Sequence, residues 1–214
     1  MVEDNLRKVL SELPPGVKLV AVSKFHPAEE IMSAYESGHR VFGENRPQEF
    51  AAKAEALPKD IEWHFIGHLQ TNKLKLVLPY ASIVESIDSM HLLNAVEKWG
   101  RENGKVIDVL LELHLGAEET KGGFTEEEIE GIEWQHFSSV RFRGLMGMAT
   151  NTDEMSVVEA DFARIEAFKR YLDANYRLPD FTELSIGMSH DWPLAVRHGA
   201  TIVRIGTAIF GPRG

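Results

Sequence analysis

The chain contains no cysteine. That excludes disulfides, zinc–thiolate centres and a cysteine nucleophile, and it fits a reducing compartment. No apolar run approaches the ~20 residues that a membrane-spanning helix needs. The opening Met1-Val2-Glu3-Asp4-Asn5-Leu6 has no basic region leading into an apolar stretch, so no secretory leader is expected. Basic clusters are missing too. Lys and Arg total 23 against 33 Asp and Glu, for a formal net charge of −10. The densest basic stretch is Lys73 to Lys75. Such a chain repels nucleic acid and anionic membrane surfaces. Neither a G-x-x-x-x-G-K-[ST] loop nor a G-x-G-x-x-G fingerprint occurs. The expectation is a cytoplasmic protein that contacts neither nucleic acid nor membrane.

What is present is enough apolar material for one core: 214 residues, 43% hydrophobic. A single domain over 1–214 is expected, because no linker or low-complexity tract interrupts it. A helix over Glu3–Glu12 comes first, with Leu6, Val9, Leu10 and Leu13 at helical spacing and Pro14-Pro15-Gly16 ending it. Short β-branched runs then alternate with helical segments. The strands are expected at Lys18–Ser23, Arg40–Glu44, Glu62–Gly67, Ser82–Ile87, Val106–His114, Arg141–Met148, Glu183–Met188 and Thr201–Gly206. Between them the pattern gives a helix opened by Pro27. Further helices are expected over about Pro47–Leu57, Thr71–Leu78, Met90–Asn103, Thr125–His136, Glu154–Asn175 and Pro193–His198. No helix is expected after the eighth strand. Eight parallel strand–helix units close into a (β/α)8 TIM-type barrel, with an extra N-terminal helix; a doubly wound open sheet is the alternative.

Reactive groups in such a barrel gather at the C-terminal ends of the strands. Lys24 ends the first strand, after the apolar LVAVS. A lysine held against apolar walls has a lowered pKa, and its neutral amine attacks aldehydes. The alternative is a lysine snorkelling to water. The loops after strands seven and eight often bind phosphate in this fold. Here they carry Ser189 and Gly206-Thr207, whose hydroxyls and N–H groups could donate to an anion; helix capping would use the same residue types. Arg204, two residues earlier, could reach a ring nitrogen. Amine and phosphate cradle together suit a phosphorylated aldehyde. The nine histidines show no metal-ligand spacing. His64 and His68 are read as lying on one strand, facing the same side. Met146 and Met148 are read as core or ring-contacting residues.

Six blocks carry a resemblance to a known family. They are Ala21-Val22-Ser23-Lys24, Phe42-Gly43-Glu44-Asn45, Trp63 to Lys73 (WHFIGHLQTNK), Arg143-Gly144-Leu145-Met146, Leu184 to Ser189 (LSIGMS) and Val203 to Gly211 (VRIGTAIFG). In this order they resemble the pyridoxal phosphate homeostasis protein family, related to the N-terminal barrel of alanine racemase. The resemblance implies that Lys24 forms a Schiff base with pyridoxal 5′-phosphate (PLP). It implies that Ser189, Gly206 and Thr207 bind the phosphate and that Arg204 faces the pyridine nitrogen. It also implies that Asn45 lies near the ring and that Met188 flanks the phosphate loop. His68 departs from members that carry proline there, and His190-Asp191-Trp192 from members with two acidic residues.

A cation at the pyridine nitrogen disfavours its protonation and weakens the ring as an electron sink. Only three residues follow Gly211, so the resemblance to alanine racemase stops at the barrel. In the racemases a further domain helps form the dimer, and a partner tyrosine is the second base. None of Tyr35, Tyr80, Tyr171 and Tyr176 falls at a strand end. The expectation is a monomeric, non-catalytic PLP carrier that could pass the cofactor to apoenzymes. The alternatives are a low-activity PLP-dependent amino-acid racemase and, from another class, a Schiff-base aldolase.

Overall fold

The structure, a computed structural model, describes residues 1–116 and 122–212. Its eight strands form a closed parallel barrel in chain order. They are β1 Lys18–Val22, β2 Val41–Glu44, β3 Glu62–Phe65, β4 Ile83–Ile87, β5 Ile107–Leu113, β6 Val140–Gly147, β7 Glu183–Ser185 and β8 Ile202–Ile205. Closure comes from β8 pairing with β1, with Val20 opposite Arg204. The outer helices are α1 Val2–Glu12, α2 Ala28–Glu36, α3 Pro47–Ala56, α4 Leu74–Val77, α5 Met90–Asn103, α6 Glu126–Glu130, α7 Met155–Asn175, α8 Trp192–Arg197 and α9 Thr207–Phe210. The extra helix α1 packs on α2 and α9, burying Leu6 and Val9. Among the described residues no helix is long and apolar enough to cross a membrane.

Side chains on a strand alternate between two faces, and here the alternation separates two cores. Leu19, Ala21, Leu111, Leu145 and Val203 belong to the large cluster beneath the helices. Val20, Ile83, Leu110, Met146 and Ile202, on the opposite strand face, form a separate cluster. That second set fills the barrel interior, as a packed layer rather than a pore. Continuing the same rows toward the C-terminal end, β1 leads from Val20 through Val22 to Lys24, and β8 from Ile202 to Arg204.

Several element boundaries differ from the sequence reading. A helix α9 follows the eighth strand, where none was expected. The segment 125–136 is two pieces: α6, opened by a Thr125/Glu128 capping box, and a 3-10 turn over Trp134–His136. Gly131, a residue of low helix propensity, ends α6. The segment 71–78 is a 3-10 turn followed by the single turn α4. Strand β7 stops at Ser185, because Gly187 turns the chain at φ 92. Strand β3 stops at Phe65, so His64 lies on it and His68 beyond it.

Gly144 shows how tight the barrel is. The β5–β6 register shifts there, Val109 pairing with Phe142 and Leu110 with Gly144. The extra residue leaves Gly144 at φ 150, with an added Cβ colliding with the Glu183 backbone. A bulge that needs glycine re-aims a strand. Gly144→Ala is expected to cost about 2 kcal/mol or more, read as a lower denaturant midpoint at unchanged slope. A loss below about 0.5 kcal/mol would mean that the bulge relaxes freely.

Candidate functional site

At the C-terminal mouth of the barrel lies a cavity of 470 Å³. Lys24, Asn45, Met188, Ser189, Arg204, Gly206 and Thr207 all line it. The seven residues singled out from sequence therefore surround one space. Lys24 and Asn45 are half-buried just beyond β1 and β2, Ser189 is half-buried in the loop after β7, and Met188 and Thr207 are exposed. Gly206 sits where an added Cβ would lie 3.0 Å from the Val22 carbonyl oxygen. The Asn45 Oδ1 is buried without a hydrogen-bond partner. A buried acceptor without a donor is costly unless a ligand satisfies it.

The end of β1 is held from behind. The Ser23 hydroxyl donates to Glu44 Oε1 at 2.6 Å. The Lys53 ammonium, from α3, donates to that oxygen at 2.7 Å, to Glu49 at 2.7 Å and to the Ser23 carbonyl at 2.8 Å. Burial pushes the Glu44 carboxyl above its ordinary value, and the Lys53 charge opposes the shift. Glu49 also accepts from the Phe25 N–H at 2.8 Å. Phe25 is the residue after Lys24, and it has φ 67. A bulky residue in that region is strained by about 1 kcal/mol or more. The network that fixes this strained turn also fixes where β1 releases Lys24.

Arg204 forms the floor. It is 4% exposed, and its guanidinium donates to the Ser185 carbonyl at 2.8 Å, to the Ser185 hydroxyl, and to the Gly147 carbonyl at 2.9 Å. Glu85, fully buried on β4, lies 3.7 Å from it. Glu85 also accepts from His64 and from the Ser185 hydroxyl. Burial raises the Glu85 carboxyl, but the hydrogen bond and charge of His64, the Arg204 charge and Ser185 outweigh it, leaving its pKa below the ordinary value. The loop after β7 is pinned by Asp191, which accepts from the Met188 N–H at 2.5 Å. Gly187 is obligatory there, since a Cβ would lie 2.6 Å from that of Ala195.

Sequence reasoning did not assign Val22, His26, Ile66 or Gly67 as site residues and read Met148 as core or ring-contacting; all five line the cavity with His68 and His190. Val22 and Ile66 share strand parity with Val20 and His64, a signal that was available. His26 is two beyond Lys24; it pairs with Glu30 at 2.8 Å and stacks on Phe210. His68 hydrogen-bonds Asp88 at 2.8 Å. A larger groove of 790 Å³ lies along Lys169, Arg177 and Phe181. It holds none of the strand-end groups, and its Lys169 is engaged by Asp173.

An amine, two hydroxyls and a buried guanidinium around one cavity define a barrel that can hold a phosphorylated aromatic aldehyde. The family model for the alanine racemase N-terminal domain matches residues 1–214. A pyridoxal phosphate homeostasis protein of Aquifex aeolicus is 41% identical over 199 residues, covering 92% of this chain and 87% of that protein. One from Schizosaccharomyces pombe is 36% identical over 217 residues, 98% of this chain and 91% of that protein. The solved structure of PipY from Synechococcus elongatus with PLP bound has a TM-score of 0.91 and 37% identity, covering 99% of this chain and 100% of that one. The alanine racemase of E. faecalis matches at a TM-score of 0.76 and 18% identity over 57% of its length, a likeness of fold. The chain belongs to the alanine racemase N-terminal domain family, and within it to the pyridoxal phosphate homeostasis proteins.

Glu112 on β5, outside the cavity lining, gives the fold a pH signature. Burial, then the charge of Asp88, lift its carboxyl from 4.5 to about 7, against Arg204 and His68. A carboxyl whose pKa is raised by folding favours the folded state while protonated, and that contribution fades as pH rises from 4.5 to about 7. Glu112→Gln is therefore expected to match the wild type in stability at pH 4 and to exceed it by up to about 3 kcal/mol at pH 8. Denaturant titrations across that window check it; a constant difference would mean that Glu112 titrates normally.

Proposed function

We propose that this chain holds PLP reversibly as a Schiff base on Lys24 and serves intracellular PLP homeostasis without catalytic turnover. One observation carries the reading: the seven residues chosen from sequence converge on one cavity, and Lys24 is among them. The cavity also suits the group. Ser189, Thr207 and the backbone around Gly206 would hold the phosphate, and a Cβ at Gly206 would press on Val22 at the end of β1. Asn45 offers its unsatisfied acceptor to the ring substituents. Arg204 would meet the pyridine nitrogen.

Bound PLP supplies an aldehyde that condenses with amines and a ring that can accept electrons. Arg204, fixed by Ser185 and Gly147, would present a positive charge to the pyridine nitrogen and so disfavour a proton there. That leaves the ring a weak electron sink, which suits storage better than turnover. Racemisation would need an acid–base group on each face of the ring. Tyrosine is poorly placed for it: Tyr35, Tyr80 and Tyr171 give their hydroxyls to Asp60, Glu55 and Glu130, and Tyr176 to the Glu130 carbonyl. A cytoplasmic monomer that passes PLP to apoenzymes completes the reading.

Adding PLP to the purified protein is expected to produce a visible absorption band that Lys24→Ala lacks. Ser189→Ala and Thr207→Val should each weaken PLP affinity by about tenfold while keeping the band. No band in the wild type would overturn the reading. Racemisation of an amino acid by loaded protein would replace storage with catalysis.

A further inference from the structure

Two cavities lie at opposite ends of the barrel, and one chain of buried side chains joins them. The upper is the candidate site. The lower, of 200 Å³, lies at the N-terminal mouth and is lined in part by His64. His64 is 2% exposed and Glu85 is fully buried. The His64 Nδ1 pairs with Glu85 Oε1 at 2.5 Å, and Glu85 Oε2 accepts from the Ser185 hydroxyl. Ser185 in turn accepts from Arg204, which lines the upper cavity. The route crosses from β3 to β4, β7 and β8. No group in it contacts bulk solvent appreciably except through the two cavities.

We propose that His64 is a positioning residue whose proton, taken up from the lower cavity, sets the net charge that Arg204 presents to the cofactor. The inference rests on the PLP reading of the upper cavity. With Glu85 ionised, the Nδ1 hydrogen points to its carboxylate, and Nε2 is the nitrogen that can gain or lose a proton. With His64 neutral, Glu85 and Arg204 cancel, and the buried trio carries no net charge. With His64 protonated the trio carries one positive charge. The pair geometry barely changes, because Nδ1 donates in both states. Only the charge changes, inside a low-dielectric interior where it is weakly screened.

Other charges surround His64. Lys18, Glu62, Asp108, Arg143 and Glu183 share the lower cavity with it, while Glu85 and Arg204 face it from above. Lys18 is paired with Glu62 at 3.3 Å, and Arg143 with Asp108 at 2.9 Å. Glu183 lies 3.9 Å from Arg143. These pairs sit toward solvent, whereas the Glu85 link is sealed. The proton on His64 therefore couples upward more strongly than to the rim. PLP is an anion, so protonating His64 should tighten its binding.

The test is PLP affinity from about pH 5.5 to 8.5 in the wild type and in His64→Asn. Asparagine places an amide nitrogen near the Nδ1 position, keeping a donor to Glu85 without a titrating group. The variant is expected to match wild-type affinity at the alkaline end and to bind PLP about threefold or more weakly at the acid end. A merely structural His64 would give a ratio independent of pH, and that result overturns the inference. Linkage is reciprocal, so adding PLP should shift the pH dependence of the His64 ring resonance in wild-type NMR spectra. No shift there overturns it without any variant. Absence of a visible PLP band in the wild type would overturn the cofactor reading and this inference with it. A band with a flat ratio overturns the inference alone.

Discussion

The guanidinium of Arg204 is a full charge inside the barrel, and a buried charge must be matched by hydrogen bonds and an opposite charge. Much of the interior above the apolar layer serves that requirement. Ser185 and Gly147 accept its hydrogens, Glu85 supplies the counter-charge, and His64 satisfies the far oxygen of Glu85. Removing any one polar partner leaves another orphaned in low dielectric, so the set acts as a unit. The same constraint fixes the floor of the upper cavity and makes its electrostatics a property of five strands, β3, β4, β6, β7 and β8.

The opposite wall is set by a different balance. Lys24 leaves β1 at a strained turn, and strain persists only when its surroundings over-determine it. Glu49 binds the Phe25 N–H, and Lys53 joins Glu49, Glu44 and the Ser23 carbonyl. The floor holds the guanidinium rigidly, and the clamped wall fixes the backbone from which Lys24 projects. Such preorganisation favours holding one ligand in one pose.

The barrel was legible because eight β-branched runs recur between helical segments, and in LVAVSK strand parity alone puts Lys24 on the face of Val20 and Val22. Fold-level placement after strands seven and eight was enough to bring Ser189, Gly206 and Thr207 to one cavity with Lys24. The failures have physical causes. Helix α9 is four residues, too short for a period to register. Ile129 and Ile132 continue a helical spacing across Gly131, which ends α6. Strand β7 was read too long because Ile186 is as buried as a strand residue, although Gly187 has already turned the chain. The buried carboxylates Glu85, behind Arg204, and Glu112 were not singled out, yet each is a lone carboxylate in an apolar strand segment, IVESI and VLLEL. A charge in such a run is expensive unless something answers it, and here the answers lie on strands distant in sequence.

The central claim is that PLP is held covalently on Lys24. Reducing PLP-loaded protein with borohydride and mapping the modified peptide by mass spectrometry tests it directly. The account predicts a pyridoxyl group on Lys24 at about one per chain. Labelling of Lys53 or another lysine in its place, or no label at all, would contradict it.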